Sequence, residues 1–288
     1  RGLVAMPGTS GGNFVSWRIF GEEYYDVTYN LYRNGSQIAS KLKVSNYTDT
    51  GGSSTSVYQV APVVRGVEQE KCPEVKRWAN QYLDVPVQGI TDRNGKDATS
   101  DYQLNDVSLA DLNGDGISEF IVKRPCSVAA DVSQKARFHV VDCYDIDGNR
   151  LWWIDMGPNM LSGADEQWDV VAYDWDLDGK AEVLLRGQDN MIIHHADGTT
   201  TNIGSMTVDT RWNGIEYTSS GNEYLLYLNG ETAQVYSNIP YPLTRGNDIA
   251  WGEGIAGHRS TKHYFGAPFF DGRRASIFLG RGAYTKHK

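Results

Sequence analysis

A strand–loop–strand pattern that recurs along the chain limits the folds it can adopt more than any other feature. The first copy occupies residues 106–122, the second 169–185, and a shorter third copy 265–279. In the first two copies, apolar strands flank a loop rich in Asp and Gly, and further hairpins lie between the copies at 138–154 and 223–236. About four strands per repeat at this spacing is typical of β-propeller blades, whereas a β-sandwich does not repeat its loops. Each copy ends in basic residues, namely Lys123-Arg124, Arg186 and Arg281.

The first 97 residues lack this repeat and have the pattern of a small β-sandwich. Segments 14–18 and 27–33 alternate apolar and polar residues, as half-buried strands do. Asn34-Gly35 supplies a hairpin turn, and 56–60 is a later strand. One Trp, a Tyr-containing hairpin and a late Tyr strand together resemble a fibronectin type III module, which is usually a support. We therefore predict an all-β chain with a fibronectin type III-like β-sandwich over 1–97, followed by β-propeller blades over 98–288.

The predicted propeller is incomplete in this chain. A closed propeller needs about four to eight blades, whereas residues 98–288 hold two complete repeats and part of a third. We expect the chain to be a piece of a longer protein. An open blade edge leaves backbone groups unpaired, so pairing with another chain or poor solubility is the expected consequence.

Composition and charge exclude several classes of function. The 288 residues include 27 Lys and Arg against 36 Asp and Glu, a formal net charge of −9. This sign, together with the lack of a Lys/Arg cluster, argues against nucleic-acid binding. The chain has no run of 18 apolar residues, so we predict no membrane span. Cys126 and Cys143 could pair if adjacent strands bring them together, and buried free thiols are the alternative.

The two acidic loops have the spacing of a calcium site. Oxygen-bearing side chains recur at positions 1, 3, 5 and 9, and alternate residues of a tight loop can turn such oxygens toward one ion. The EF-hand glutamate at position 12 is replaced by Val122 and Leu185, and the flanking residues alternate as strands do. We predict two β-hairpin Ca2+ sites, with a solvated acidic turn as the alternative. With position 7 included, the predicted ligands are Asp111, Asn113, Asp115, Ile117 and Glu119 in the first loop and Asp174, Asp176, Asp178, Lys180 and Glu182 in the second.

Calcium binding favours a location outside the cytoplasm. Free calcium is scarce in the cytosol, and open loops of low charge suit higher extracellular concentrations. The chain starts at Arg1 without a charged and then apolar leader. We therefore expect a secreted, periplasmic or cell-surface protein whose export signal has been removed.

Several short motifs occur in an order that is more specific than any of them alone. They are residues 1–5, the strand 16–18, the hairpin 30–35, the segment 102–106 and residues 281–286. Together they resemble the rhamnogalacturonan lyases of polysaccharide lyase family 11, over nearly the whole chain. The resemblance implies a secreted bacterial enzyme with an N-terminal β-domain and a calcium-containing propeller. Its implied activity is cleavage of the rhamnogalacturonan I backbone of pectin by β-elimination.

The resemblance also implies a mechanism and a set of site residues. A base removes the proton beside the uronate carboxylate and the glycosidic oxygen leaves, which requires calcium, Arg or Lys to neutralise the carboxylate. A Lys, Arg or His near a cation can serve as the base. For each candidate, a surface position on a solvated turn is the alternative. The candidates are His258, Arg259, Arg281, Lys286 and His287 for catalysis, and Asn105 and Tyr284 for substrate binding.

Two features depart from the family pattern. Residues 123–126 read Lys-Arg-Pro-Cys where the family usually has Lys-Trp-Asp-Pro, so a carboxylate expected near the substrate is missing. The family's catalytic cluster also draws on later blades that this chain does not contain.

We predict a secreted, calcium-dependent rhamnogalacturonan lyase or a fragment of one. The rival hypothesis is a non-catalytic propeller segment that binds carbohydrate or protein.

Overall fold

The chain consists of β-strands joined by loops. The computed structural model describes residues 1–21, 23–161, 169–213, 217–218, 220–252, 257–284 and 286–288. Its helical segments within these ranges are two short 3-10 helices, Thr99–Asp101 and Asp248–Trp251. Neither has the length and apolar character needed to cross a membrane. The all-β class predicted from the sequence is therefore confirmed.

The chain forms two compact units. The strands of all three repeat copies belong to unit 2, whereas the tip of the first acidic loop belongs to unit 1. The domain limits 1–97 and 98–288 stay a prediction. Unit 1 consists of residues 1–85, 114–118 and 269–275, and unit 2 of residues 86–113, 119–268 and 276–288.

Unit 1 contains two antiparallel sheets. One has the strand order β1-β2-β5, and the other has the order β4-β3-β6-β7 with β8 paired to β6. The hairpin predicted at Asn34-Gly35 is confirmed, because both residues have a positive φ (49° and 76°) and Arg33 pairs with Ser36. The strands are β1 (Val4–Pro7), β2 (Asn13–Ser16), β3 (Thr28–Arg33), β4 (Ser36–Leu42), β5 (Asn46–Asp49), β6 (Val57–Val64), β7 (Val67–Glu68) and β8 (Val75–Lys76).

Apolar side chains of both sheets share one core in unit 1. Ala5 and Val15 come from the first sheet, and Leu31 and Val60 from the second. Alternating burial along β2 and β3 explains this arrangement, because every second side chain of a strand points to the same face. The strands that the sequence predicted by alternation therefore contribute Val15 and Leu31 to a core that β1 and β6 also build.

Unit 2 contains three antiparallel sheets, with the orders β16-β15-β12-β11-β10-β9, β13-β14-β17-β18 and β19-β20. Each repeat copy forms one hairpin, and the two acidic loops join β9 to β10 and β13 to β14. The strands are β9 (Val107–Ala110), β10 (Glu119–Arg124), β11 (Val140–Tyr144), β12 (Arg150–Asp155), β13 (Val170–Tyr173), β14 (Glu182–Gln188), β15 (Met191–His194), β16 (Thr200–Ile203), β17 (Glu223–Asn229), β18 (Val235–Pro240), β19 (His263–Gly266) and β20 (Phe278–Arg281).

One hairpin joins a different sheet from the one that its place in the sequence indicates. The strands β15 and β16 follow β14 in the chain, yet β15 pairs with β12 of the first repeat. The rings of Trp153 and His194 stack across this pair at 3.6 Å between centroids. The added hairpin pairs the backbone groups that β12 would otherwise expose as an edge.

The two acidic hairpins of unit 2 meet at a buried junction. The N–H of Ala181, at the end of the second loop, donates to the carbonyl oxygen of Asp111 at 2.8 Å. The indole Nε1 of Trp152 donates to the carbonyl oxygen of Gly230 at 2.7 Å. A Cβ atom on Gly230 would clash with the Ala181 carbonyl oxygen and lie 2.8 Å from Cδ2 of Leu112. The junction therefore has no room for a side chain at position 230.

We expect Gly230→Ala to lower the free energy of unfolding by about 1–3 kcal/mol, because overpacking forces backbone to move. Gly266→Ala is the matched control, since the nearest atom to its added Cβ lies at 3.9 Å. Chemical denaturation of both variants measures the difference. Equal stability of the two variants would contradict the close approach at Gly230.

Candidate functional site

The second acidic loop gathers four carboxylates. Ligand oxygens of Asp174, Asp176, Asp178 and Glu182 all lie within 4.8 Å of one another, and no other group of three or more His, Cys, Asp or Glu in the described part of the chain does so. Two residues of the loop have a positive φ, Leu177 (67°) and Gly179 (94°), so the backbone coils tightly enough to turn alternate side chains inward. This cluster can hold a metal ion with hard oxygen ligands.

Backbone N–H groups hold the carboxylates of the second loop in place. The N–H of residue 178 donates to both Asp174 and Asp176 at 3.1 Å. Glu182 is buried and accepts from the N–H of Trp175 at 3.1 Å and the hydroxyl of Tyr227 at 2.7 Å. Burial raises the pKa of Asp174 and of Glu182, and the neighbouring carboxylates raise both further. A bound cation would relieve this repulsion, so the residues present fit a divalent metal.

The charged side chain of Lys180, the remaining predicted ligand of the second loop, pairs with a residue outside the four-carboxylate cluster. Its Nζ pairs with Glu231 at 2.6 Å, and both side chains are partly exposed. The backbone carbonyl of Lys180 is therefore the group that could act as a ligand at position 7.

The first acidic loop repeats one contact of the second. The N–H of Leu112 donates to Glu119 at 2.7 Å, just as Trp175 donates to Glu182. Asn113 Nδ2 also donates to Glu119 at 3.1 Å. Nearer the tip, Asp115 accepts the N–H of Ile117 at 2.7 Å. The ligand set predicted for this loop, with Asp111, stays a prediction.

Four of the predicted site residues lie around the buried Trp251. His258 packs edge-on against Tyr284 at 6.0 Å between centroids, and the Arg259 guanidinium lies 5.7 Å from the Tyr284 ring. Arg259 also donates to the carbonyl oxygen of Trp251 at 3.1 Å, and Lys286 Nζ lies 5.0 Å from the Trp251 ring. We call these five residues the basic–aromatic group. Tyr284 is 72% exposed, so the group can meet a ligand in solution.

His287 and Asn105 are found outside the basic–aromatic group. His287 is exposed. Asn105 is half-buried, and its Oδ1 accepts the N–H of Asp106 at 2.7 Å. The neighbouring Lys123 is buried, and its Nζ pairs with Asp106 at 3.0 Å.

Arg281 lies in a separate, buried group of charges. Its guanidinium donates to both oxygens of Glu223, at 2.6 and 3.1 Å, and to the carbonyl oxygens of Ser260 and Leu243, each at 2.7 Å. Arg186 and Arg245 donate to the same carboxylate, at 3.1 and 2.9 Å. We call Arg186, Arg245, Arg281 and Glu223 the arginine cluster.

Electrostatics in the arginine cluster favour the ionised carboxylate. Burial alone would raise the pKa of Glu223, but the charges of Arg186, Arg245 and Arg281 outweigh it and hold that pKa well below its usual range. Burial lowers the pKa of Arg186 to about 10. The sequence alone did not identify Glu223 and Arg245 as members of a charged group. The available signal was the basic residue that ends each repeat copy, such as Arg186 and Arg281, because a buried charge needs a partner.

The three cysteines are free thiols in this structure. Cys126 and Cys143 are both buried, and burial raises the pKa of each thiol. Of the two alternatives left open by the sequence, the structure contains the unpaired thiols.

We expect Glu223→Gln to destabilise the protein by about 3–5 kcal/mol at pH 7, because it leaves buried guanidinium groups without a carboxylate. The control Glu231→Gln removes a partly exposed pair at the surface and should cost no more than about 1 kcal/mol. The folded-state pKa of Glu223 is depressed, so its contribution is complete above the unfolded value of 4.5 and is lost as the pH falls below it. Thermal unfolding from pH 7 to pH 3 should show the wild type approaching the variant, and a constant difference would contradict this.

Two family models together match nearly the whole chain. Residues 1–78 match the rhamnogalacturonan I lyases beta-sheet domain, and residues 82–288 match the rhamnogalacturonan lyase family 11, C-terminal domain. Rhamnogalacturonan endolyase YesW of Bacillus subtilis (strain 168) is 38% identical over 292 residues, covering 99% of this chain and 46% of that protein. Rhamnogalacturonan exolyase YesX of the same organism is 35% identical over 293 residues, with the same coverage.

The solved structures agree with these matches. The crystal structure of rhamnogalacturonan lyase YesW has a TM-score of 0.74 and 36% identity, covering 100% of this chain and 48% of that one. The Bacillus licheniformis rhamnogalacturonan lyase PL11 has a TM-score of 0.73 and 35% identity, covering 100% of this chain and 49% of that one. The chain spans about half the length of the curated relatives it matches. The chain therefore belongs to the rhamnogalacturonan lyases of polysaccharide lyase family 11.

Proposed function

We propose that this chain is part of a secreted bacterial lyase that depends on calcium and cleaves the rhamnogalacturonan I backbone of pectin by β-elimination. The observation that carries the proposal is the similarity over 99% of the chain to both an endolyase and an exolyase of rhamnogalacturonan. The chain spans less than half of those proteins, so the activity of a whole lyase is proposed for it on this similarity.

We also propose that residues 1–97 form a fibronectin type III-like β-sandwich domain and that 98–288 form blades of an incomplete β-propeller. The shared core of the two sheets in unit 1 supports the first part. In unit 2, the first strands of successive repeat copies are neighbours, as the inner strands of adjacent blades are. Ser108 of β9 donates to the carbonyl oxygen of Val170 in β13 at 2.6 Å. The outer edge of such an open propeller would be the surface for self-association.

Calcium is the metal proposed for the acidic loops. A divalent ion supplies positive charge and fixes the hairpin, and it prefers the carboxylate and carbonyl oxygens that these loops contain. In the second loop the four clustered carboxylates and the Lys180 carbonyl would hold it. In the first loop the corresponding ligands would be Asp111, Asn113, Asp115, Ile117 and Glu119.

The basic–aromatic group is proposed to act on the uronate. Elimination requires positive charge beside the substrate carboxylate and a base beside the acidic C–H. Arg259 would neutralise the carboxylate, and the base would be His258, Lys286 or His287. Tyr284 is exposed and would pack on a sugar ring, while Asn105 would add a polar contact. Arg281 is buried, so its contribution would be positive potential rather than direct contact with the polymer.

Removal of calcium should lower the Tm of the purified protein by on the order of 5–10 °C if calcium is present at about 100 times its Kd. The double variant Asp176→Asn/Asp178→Asn should lose most of this calcium-dependent shift, because two charged ligands are gone. Asp271→Asn, in the exposed turn of the third repeat copy, is the control and should keep it. An unchanged Tm after chelation would rule out a stabilising calcium site.

Lyase activity is measured on rhamnogalacturonan I as ultraviolet absorbance of the unsaturated uronide. In the full-length protein we expect Lys286→Met and Arg259→Met each to lower kcat/KM by about 100-fold or more, because base and charge stabilisation typically contribute this much. Arg273→Met is the control at an exposed position. Wild-type activity in both test variants would contradict their proposed roles.

The same assay separates the lyase from its rival, a non-catalytic propeller segment that binds carbohydrate or protein. Residues 123–126 favour the rival, since they lack the carboxylate of the family pattern. The lyase predicts release of the unsaturated product by the full-length protein. Binding of the polymer without any such product would support the rival instead.

A further inference from the structure

The arginine cluster of unit 2 holds more positive charge than its hydrogen-bonded partner neutralises. Three guanidinium groups share the single carboxylate of Glu223, and the side chains of Arg186 and Arg281 are 0% exposed. Asp169 also contributes to the electrostatics of this region, but it accepts the N–H of Phe265 at 3.3 Å and burial raises its pKa. Unpaired charge in a buried site costs several kcal/mol unless a counterion compensates it.

The cluster also contains hydrogen-bond donors that no described residue satisfies. Nε, Nη1 and Nη2 of Arg281 all donate hydrogen bonds. By contrast, Nε and Nη2 of Arg186 and Nε of Arg245 have no acceptor among the described residues. Arg186 Nη1 has two acceptors, Glu223 at 3.1 Å and the side-chain oxygen of Gln188 at 2.9 Å. Buried donors are normally paired, so these three nitrogen atoms indicate a missing acceptor.

The unsatisfied donors lie on guanidinium groups that are close together. Arg186 Nη1 and Arg245 Nη2 donate to the same oxygen, Oε1 of Glu223, so these two atoms lie within two hydrogen-bond lengths of each other. The buried hydroxyl of Tyr241 is also without a partner among the described residues. An acceptor that serves both guanidinium groups must be compact, and the excess positive charge favours an anion.

His263 borders the cluster but does not supply a donor to it. Its Nδ1 lies 2.5 Å from the carbonyl oxygen of Thr261, so Nδ1 carries the proton and Nε2 is an acceptor. Burial, together with the charges of Arg186 and Arg281, lowers the pKa of His263 well below its usual range. The neutral ring leaves the guanidinium groups as the source of positive charge.

We propose that the arginine cluster binds one small monovalent inorganic anion of the size of chloride beside Arg186 and Arg245. A halide accepts several N–H and O–H bonds at once and offsets one of the excess charges. A uronate of the polymer is a poor occupant, because Arg186 and Arg281 are fully buried and a sugar chain cannot reach them. The anion site shares Arg281 with the proposed lyase function, but its donors on Arg186 and Arg245 are present whether or not the chain takes part in that reaction.

Crystals of the purified protein grown or soaked in bromide test the site directly. The expected result is an anomalous bromide peak within hydrogen-bonding distance of Arg186 Nε or Nη2 and Arg245 Nε. Water molecules at these donors, with no bromide peak at high bromide concentration, would overturn the proposal.

Thermal unfolding at constant ionic strength gives a second test in solution. Replacing gluconate, which is too bulky for the site, by chloride should raise the Tm by about 2–4 °C at tenfold excess over Kd. Arg245→Gln should lose this rise, and the exposed control Arg273→Gln should keep it. Equal chloride responses in wild type and Arg245→Gln would overturn the proposal. If Arg245→Gln does not fold, the bromide experiment on the wild type still decides.

Discussion

The strand β14 is buried at all seven positions, and the charged sites of unit 2 depend on this constraint. A strand buried on both faces needs packing partners on both sides, so its polar side chains cannot escape to water. Glu182, at its first position, is held by Trp175 and Tyr227 in the acidic loop. Arg186, four residues further on, is held by Glu223 of the paired strand β17. Burial of one strand thus places a carboxylate in the acidic cluster of the second loop and a guanidinium in the arginine cluster.

Local sequence patterns predicted the structural features that depend on residues close together in the chain. The turn at Asn34-Gly35 and the carboxylate cluster at 174–182 follow from spacing within one hairpin, and the structure contains both. The arginine cluster could not be predicted in this way, because Glu223 reaches Arg186 only through the register of β14 against β17. The pairing of hairpin β15–β16 with β12 could not be predicted for the same reason. Which sheet edge the hairpin joins depends on contacts between residues distant in sequence.

The motif at residues 281–286, which supported the family resemblance, contains residues that lie in two different environments. Arg281 ends β20 and is enclosed by Glu223, Ser260 and Leu243. Tyr284, which has a positive φ of 61°, lies on the surface with 72% of its area exposed. A change in chain direction after Arg281 therefore separates a buried ion pair from an exposed aromatic side chain within four residues. The net charge of −9 hides this local concentration of positive charge.

The exchanged hairpin β15–β16 has a consequence for folding. The chain leaves the second repeat after β14, adds two strands to the sheet of the first repeat, and then returns to pair β17 with β14. Repeat proteins normally gain stability from neighbours that touch at one interface, which lets terminal repeats fray one at a time. Here the chain leaves the second repeat and returns to it, so the second repeat cannot separate from the first unless β15 detaches from β12. The two repeats are therefore joined by the backbone hydrogen bonds between β12 and β15 as well as by the chain connections.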